Sequence, residues 1–144
     1  MSVKQISIFL ENKPGTLNKM TDVLADASID MRALSLAETK DFGIVRIIVD
    51  DVIVALSTLK AAGFVCSLTP VVVCAIPDEP GGLNRILKVL TEADVNLEYM
   101  YAFLGGRDAD HAYMIFRVDD EDKASAALVA RKFRVVEQEE ISEL

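Results

Sequence analysis

Apolar and polar residues alternate over the first ten positions, with Ile6, Ile8 and Leu10 on one side and Gln5, Ser7 and Phe9 on the other. That is the period of a half-buried strand. The period then changes: Leu17, Met20, Val23, Leu24 and Ala27 recur at helical spacing, behind Asn12 and Pro14-Gly15, which read as the helix entrance. Met31 to Thr39 reads as a second strand, Lys40-Asp41 as a hairpin turn, and Phe42 to Val49 as a third strand, apolar on both faces except at Arg46. Asp50-Asp51 caps a second helix bearing Val52, Ala55, Leu56 and Leu59. Gly63 ends that helix, and Phe64 to Leu68 is the last strand. The predicted order is βαββαβ.

The pattern then repeats. Leu17 corresponds to Leu83, Asn18 to Asn84, Val23-Leu24 to Val89-Leu90 and Ala27 to Ala93, all at an offset of 66. The stretch from Gly105 to Asp110 lengthens the second hairpin, after which Val49-Asp50-Asp51 matches Val118-Asp119-Asp120 and Phe64 matches Phe133. Matches on this scale, broken by one small gap, indicate an internal duplication. The expected halves are residues 1–69 and 70–144, with Thr69-Pro70 as the only linker. Each is the ferredoxin-like split βαβ unit, an α+β fold with an antiparallel sheet and both helices on one face. Units of about 70 residues have marginal cores, so a shared interface is expected. The second strand of each unit lies at a sheet edge, and open edges invite pairing. Met31-Arg32-Ala33-Leu34 and Leu97-Glu98-Tyr99-Met100 are therefore expected to join across a pseudo-twofold axis into one eight-stranded antiparallel sheet.

The repeated strand-to-helix turn, Asn12-Lys13-Pro14-Gly15-Thr16-Leu17-Asn18 and Asp78-Glu79-Pro80-Gly81-Gly82-Leu83-Asn84, is the candidate site. A Pro-Gly pair is a structural punctuator before it is anything else. Yet glycine permits close backbone approach, and a helix start leaves unpaired amide donors that suit a small anion. A strand followed by Asn-x-Pro-Gly-x-Leu, a helix, and then Ile29-Asp30-Met31 or Val95-Asn96-Leu97 resembles the ACT domain, twice, over essentially the whole chain. The resemblance implies a stand-alone pair that binds a free amino acid between its two domains and regulates without catalysis. Family contacts come from the residue before x-Pro-Gly, here Asn12 or Asp78, and from the polar residue after the first helix of the neighbouring domain, here Asp30 or Asn96. Sites across the interface would combine Asn12 with Asn96, which suits a zwitterion, and Asp78 with Asp30, which suits a cation. The first pairing is preferred. Leu10, Pro14, Gly15, Thr16, Leu17 and Met31, with Ile76, Pro80, Gly81, Gly82, Leu83 and Leu97, complete the expected ligand-binding set. Leu10 and Ile76 stand where some members carry a polar or His side chain, which leaves the amino acid unspecified. Tyr99, Tyr101 and Phe103 alternate onto one strand face and read first as interface core.

Composition narrows the partners. Fifteen Lys and Arg against 23 Asp and Glu give a net charge of −8, with no basic run, which disfavours nucleic acid. A hydrophobic fraction of 51% and a mean hydropathy of +0.30 suggest self-association as a homodimer, or docking on a regulated enzyme. No apolar run nears the ~20 residues of a membrane span, and the N-terminus lacks a signal-peptide layout. Cys66 and Cys74 form no ligand cluster and read as reduced thiols of a cytoplasmic protein. No cofactor, metal or catalytic residue is expected. An enzyme would need His111, the single histidine, with Asp110 or Tyr113, and His111 reads more simply as a surface or turn residue. Asp50-Asp51 and Asp119-Asp120-Glu121-Asp122 precede helices and read as caps, not a metal loop. The charged tail from Glu137 to Glu143 reads as solvated.

Overall fold

In the computed structural model, residues 2–104 and 110–144 are described, and the lengthened hairpin read at Gly105 to Ala109 lies outside them. The alternating run becomes β1 (Val3–Glu11), followed by α1 (Thr16–Asp26), β2 (Met31–Glu38), β3 (Phe42–Val49), α2 (Val52–Ala61) and β4 (Val65–Pro77). The second copy gives α3 (Gly82–Glu92), β5 (Leu97–Ala102), β6 (His111–Val118), α4 (Glu121–Ala130) and β7 (Arg134–Val136), then a short 3-10 helix, Gln138–Glu143. Contacts divide the chain into Lys4–Thr69 and a unit formed by Pro70–Leu144 with the first few residues.

Both units are antiparallel βαββαβ arrangements. In the first, β3 pairs with β1 (Ile8 opposite Val45) and with β2 (Leu34 opposite Ile47). In the second, β4 pairs with β6 (Cys74 opposite Met114) and β7 (Cys74 opposite Val135), and β6 with β5. Two expectations are corrected. The described residues form seven strands, not eight, because Thr69-Pro70 is no linker: β4 runs unbroken through it. Proline's fixed φ suits extended backbone, and Pro70 precedes the first paired residues of the β6 and β7 ladders, Val72 and Val73. The edge-to-edge joining is also not what the ladders give, since β2 takes its hydrogen bonds from β3 and β5 from β6.

The cores follow the periodicities. In the first unit Ile6, Ile8 and Leu10 of β1 meet Met20 and Leu24 of α1, Val45 and Ile47 of β3, and Ala55 and Leu59 of α2. The second unit fills the same places with Val72, Cys74, Ile76, Ile86, Leu90, Phe116, Ala124 and Leu128. Each fully buried Leu or Ile stabilises its unit by roughly 2 kcal/mol. Cys74 stands where the first repeat has Ile8 and acts as a small apolar filler, its thiol pushed up to about 12 by burial. Asp51 and Asp120 cap α2 and α4 by accepting from the amides of Val54 and Lys123. Asp50 and Asp119 instead accept from the amides of Asp30 (3.1 Å) and Asn96 (2.9 Å), tying the start of the second strand to the end of the third. The tail is not merely solvated: Glu137 and Glu140 form a capping box, and Ile141 is fully buried.

All four helices end alike, in a left-handed residue followed by an amide that reaches back five residues. Gly63 was the legible one. Its counterparts are Ser28, Asp94 and Lys132, at φ of 54, 57 and 66°. The starts of α1 and α3 also share a left-handed residue, Gly15 at φ 86° and Gly81 at φ 85°, and neither start has a side-chain cap. The next residue separates them. Thr16 donates its hydroxyl to the Glu11 carbonyl at 2.8 Å, whereas a Cβ on Gly82 would lie 2.3 Å from the equivalent Pro77 carbonyl.

Two outcomes are expected from urea unfolding. Ser28→Gly relieves a left-handed side-chain residue and stabilises the protein by about 0.5–1 kcal/mol; an unchanged midpoint would contradict this. Gly82→Ala forces backbone apart and costs about 2 kcal/mol, an expectation that a wild-type midpoint would remove.

Candidate functional site

The end of β1 delivers Asn12 to the β2–β3 turn. Its backbone amide donates to the Asp41 carbonyl at 2.9 Å. The side-chain amide nitrogen faces three acceptors, a Glu38 carboxylate oxygen at 3.0 Å and the carbonyls of Thr39 and Lys40 at 3.2 and 3.4 Å. Asn12 is therefore a clamp that fixes Glu38, and its nitrogen is not turned toward a guest. Pro14 and left-handed Gly15 then reverse the chain into α1, whose first amides carry no capping side chain.

Between this turn and β2 lies a cleft of about 340 Å³, walled by Leu10, Asn12, Lys13, Thr16 and Leu17 on one side and Leu36, Glu38 and Gly43 on the other. Its size is at the lower end of small-ligand pockets. Leu10 is nearly covered and Leu36 is 57% exposed. Of the residues expected from sequence, Leu10, Asn12, Thr16 and Leu17 line this cleft and Pro14 and Gly15 do not, whereas Lys13, Leu36, Glu38 and Gly43 line it without having been expected. The signal available for Leu36 and Glu38 was the outward phase of β2 at its hairpin end, where an apolar and an acidic residue stand two apart. Lys13 pairs with Glu11 at 2.5 Å. The hydrogen bond between them, aided by their charges, lowers the Glu11 carboxyl and raises the Lys13 ammonium from their ordinary values. On the other side of the same turn a second hollow, of about 450 Å³, is lined by Phe9, Glu11, Lys19, Phe64 and Val65 among others.

The second turn has the same plan with a different filling. Asp78 donates its backbone amide to the Asp110 carbonyl at 3.0 Å, Arg85 forms an ion pair with Glu79, and Gly82 is drawn tightly to Pro77. Ile76 and Leu83 belong to the core below, and Pro80 is exposed. The residues expected to complete the site lie elsewhere in their own units. Asp30 and Asn96 are exposed at the starts of β2 and β5. In the first unit that start is opposite Val49, whereas the turn adjoins the strand's far end at Glu38. The Asp30 carboxylate is held by Arg32 at 3.0 Å, while Met31 and Leu97 pack against the cores. Tyr99 and Tyr101 stack on one face of β5 with ring centres 6.5 Å apart, and Phe103 packs on Tyr113 at 5.8 Å.

Among the described residues no group of side chains is arranged to hold a metal ion, and no helix is long and apolar enough to cross a membrane. The family model for the ACT domain pair matches residues 1–144. The crystal structure of protein BT0572 from Bacteroides thetaiotaomicron superposes with a TM-score of 0.92 at 38% identity, covering 100% of this chain and 98% of that one. The ligand-free regulatory subunit of aspartate kinase from Thermus thermophilus shares the fold at 18% identity and a TM-score of 0.69, over 92% of each chain. The corresponding subunit from Thermus flavus does so at 14% and 0.60, over 90% of this chain and 92% of that one. No curated protein matches the sequence. The chain belongs to the ACT domain pair family, whose members are regulatory modules for small-molecule ligands.

Proposed function

We propose that this ACT domain pair binds a free amino acid in the cleft between the Asn12–Leu17 turn and β2, and passes its presence on to an enzyme without acting on it chemically. The observation that carries this reading is the placement of opposite polarities across one small cleft. The first turn of α1, which has no side-chain cap, supplies Thr16 and Leu17 to one side, and Glu38, fixed by Asn12, lies on the other. A ligand carboxylate at a helix start gains about 0.3–1 kcal/mol from the dipole alone, besides its hydrogen bonds. A ligand ammonium is complemented by Glu38, and Leu10, Leu17 and Leu36 supply apolar contact for a side chain. Those are the requirements of a zwitterion.

The first turn is the better ligand turn of the two. Thr16 props it open with a hydroxyl bond to the backbone, where Gly82 lets its counterpart collapse onto a carbonyl. The two unpaired thiols suit a reducing compartment, and the cytoplasm is the setting proposed. Phe9, Leu36 and Phe42, each about half exposed, favour pairing of two copies.

Calorimetry with each of the twenty amino acids is expected to find at least one that binds. Glu38→Gln keeps an oxygen for Asn12 but removes the charge, and should weaken that ligand about tenfold with little change in melting temperature. Absence of heat from all twenty at millimolar concentration, or an unaltered affinity in Glu38→Gln, contradicts the proposal. Sedimentation equilibrium should return twice the 15.8 kDa chain mass; a species of that mass alone at high concentration would exclude the dimer.

A further inference from the structure

The repeats diverge sharply around one cleft. Where the first has Phe9, Phe42, Ile44, Gly63 and Val65, the second has Ala75, His111, Tyr113, Lys132 and Arg134. Four of these five changes replace an apolar or missing side chain with a hydrogen-bond donor. In the second unit the donors meet: His111, Tyr113, Lys132 and Arg134 wall a cleft of about 280 Å³ over Ala75 and Pro77. Three of the four are basic side chains, in a chain whose net charge is −8.

The cleft is built, not incidental. Arg134 donates to a Glu140 carboxylate oxygen at 2.8 Å and to the Tyr113 hydroxyl at 3.4 Å. Glu140 is itself held, its other oxygen accepting the Glu137 amide at 2.7 Å. Tyr113 is 5% exposed and is braced by the Phe103 ring. Arg134 is thus oriented before any guest arrives, with guanidinium donors to spare beyond these two bonds. Glu140 is the acid beside it and offsets part of its charge. Lys132 occupies a left-handed backbone position, φ 66°, which the first repeat fills with Gly63.

We propose that this cleft is a second binding site, separate from the amino-acid cleft, for a compact doubly charged oxyanion such as a phosphate monoester or a small dicarboxylate. Lys132 supplies a point charge and Arg134 a planar fork. The Tyr113 hydroxyl and the His111 ring add hydrogen-bonding capacity.

The test is titration of the full chain at low ionic strength with orthophosphate, succinate and acetate in turn, followed by amide NMR and calorimetry. Orthophosphate or succinate should bind more tightly than acetate and shift the amides of His111, Lys132 and Arg134; which of the two binds identifies the ligand class. Lys132→Gly restores the residue of the first repeat and relieves the backbone, so its melting temperature should equal or exceed wild type. Its affinity for the bound dianion should fall about tenfold, while Glu38→Gln leaves that affinity unchanged. Binding no stronger than acetate, shifts elsewhere, or an undiminished affinity in Lys132→Gly would overturn the proposal.

Discussion

Everything at the candidate site depends on a helix that starts from a left-handed glycine with no side chain over its first amides. Gly15 makes the reversal at φ 86° without steric cost, and Asn12 fixes the other wall by pinning Glu38 and the carbonyls of the β2–β3 turn. Neither feature is sufficient alone. Without the glycine, β1 could not turn so abruptly into α1. Without the clamp, Glu38 would be a long, freely rotating acid at a hairpin end, and holding it would draw on the ligand's own binding energy.

The duplicated scaffold separates what the fold requires from what it leaves free. Core positions stay apolar across the repeats, and several keep the same residue: Leu24 and Leu90, Ala55 and Ala124, Leu59 and Leu128, Val49 and Val118. The ends of the units do not. Thr16 corresponds to Gly82, Phe42 to His111, and Gly63 to Lys132. Close packing punishes change in the first group, and loops positioned by that packing are where recognition is free to vary. Two equal folds therefore carry two unequal sets of clefts.

Much of this was legible in the sequence. The change from a two-residue to a helical period marks β1 and α1, and the offset matches give the second unit almost residue by residue. The turn itself was found because proline and glycine declare it. What escaped depended on distance or on small differences. Pro70 looked like a linker because proline usually interrupts strands, and only the ladders show that it falls before the residues of β4 that pair with β6 and β7. Glu38 and Leu36 lie more than twenty residues from Asn12, joined to it by a side-chain hydrogen bond that no periodicity encodes. The two Pro-Gly turns looked equivalent, yet one missing side chain, at Gly82, lets the backbone close by more than any pattern reveals. Ser28, Asp94 and Lys132 hid their left-handed backbone because the tertiary fold, not residue preference, imposes it.

The most direct measurement is an amide NMR titration of the full chain with the amino acid of highest affinity, following the first turn of α1. Bound carboxylate at the helix start predicts the largest shifts at Leu17 and Asn18, with smaller ones at Glu38 and Gly43. Shifts concentrated anywhere else, with Thr16 to Lys19 unmoved at saturation, would show that the uncapped helix start is not where the ligand is held.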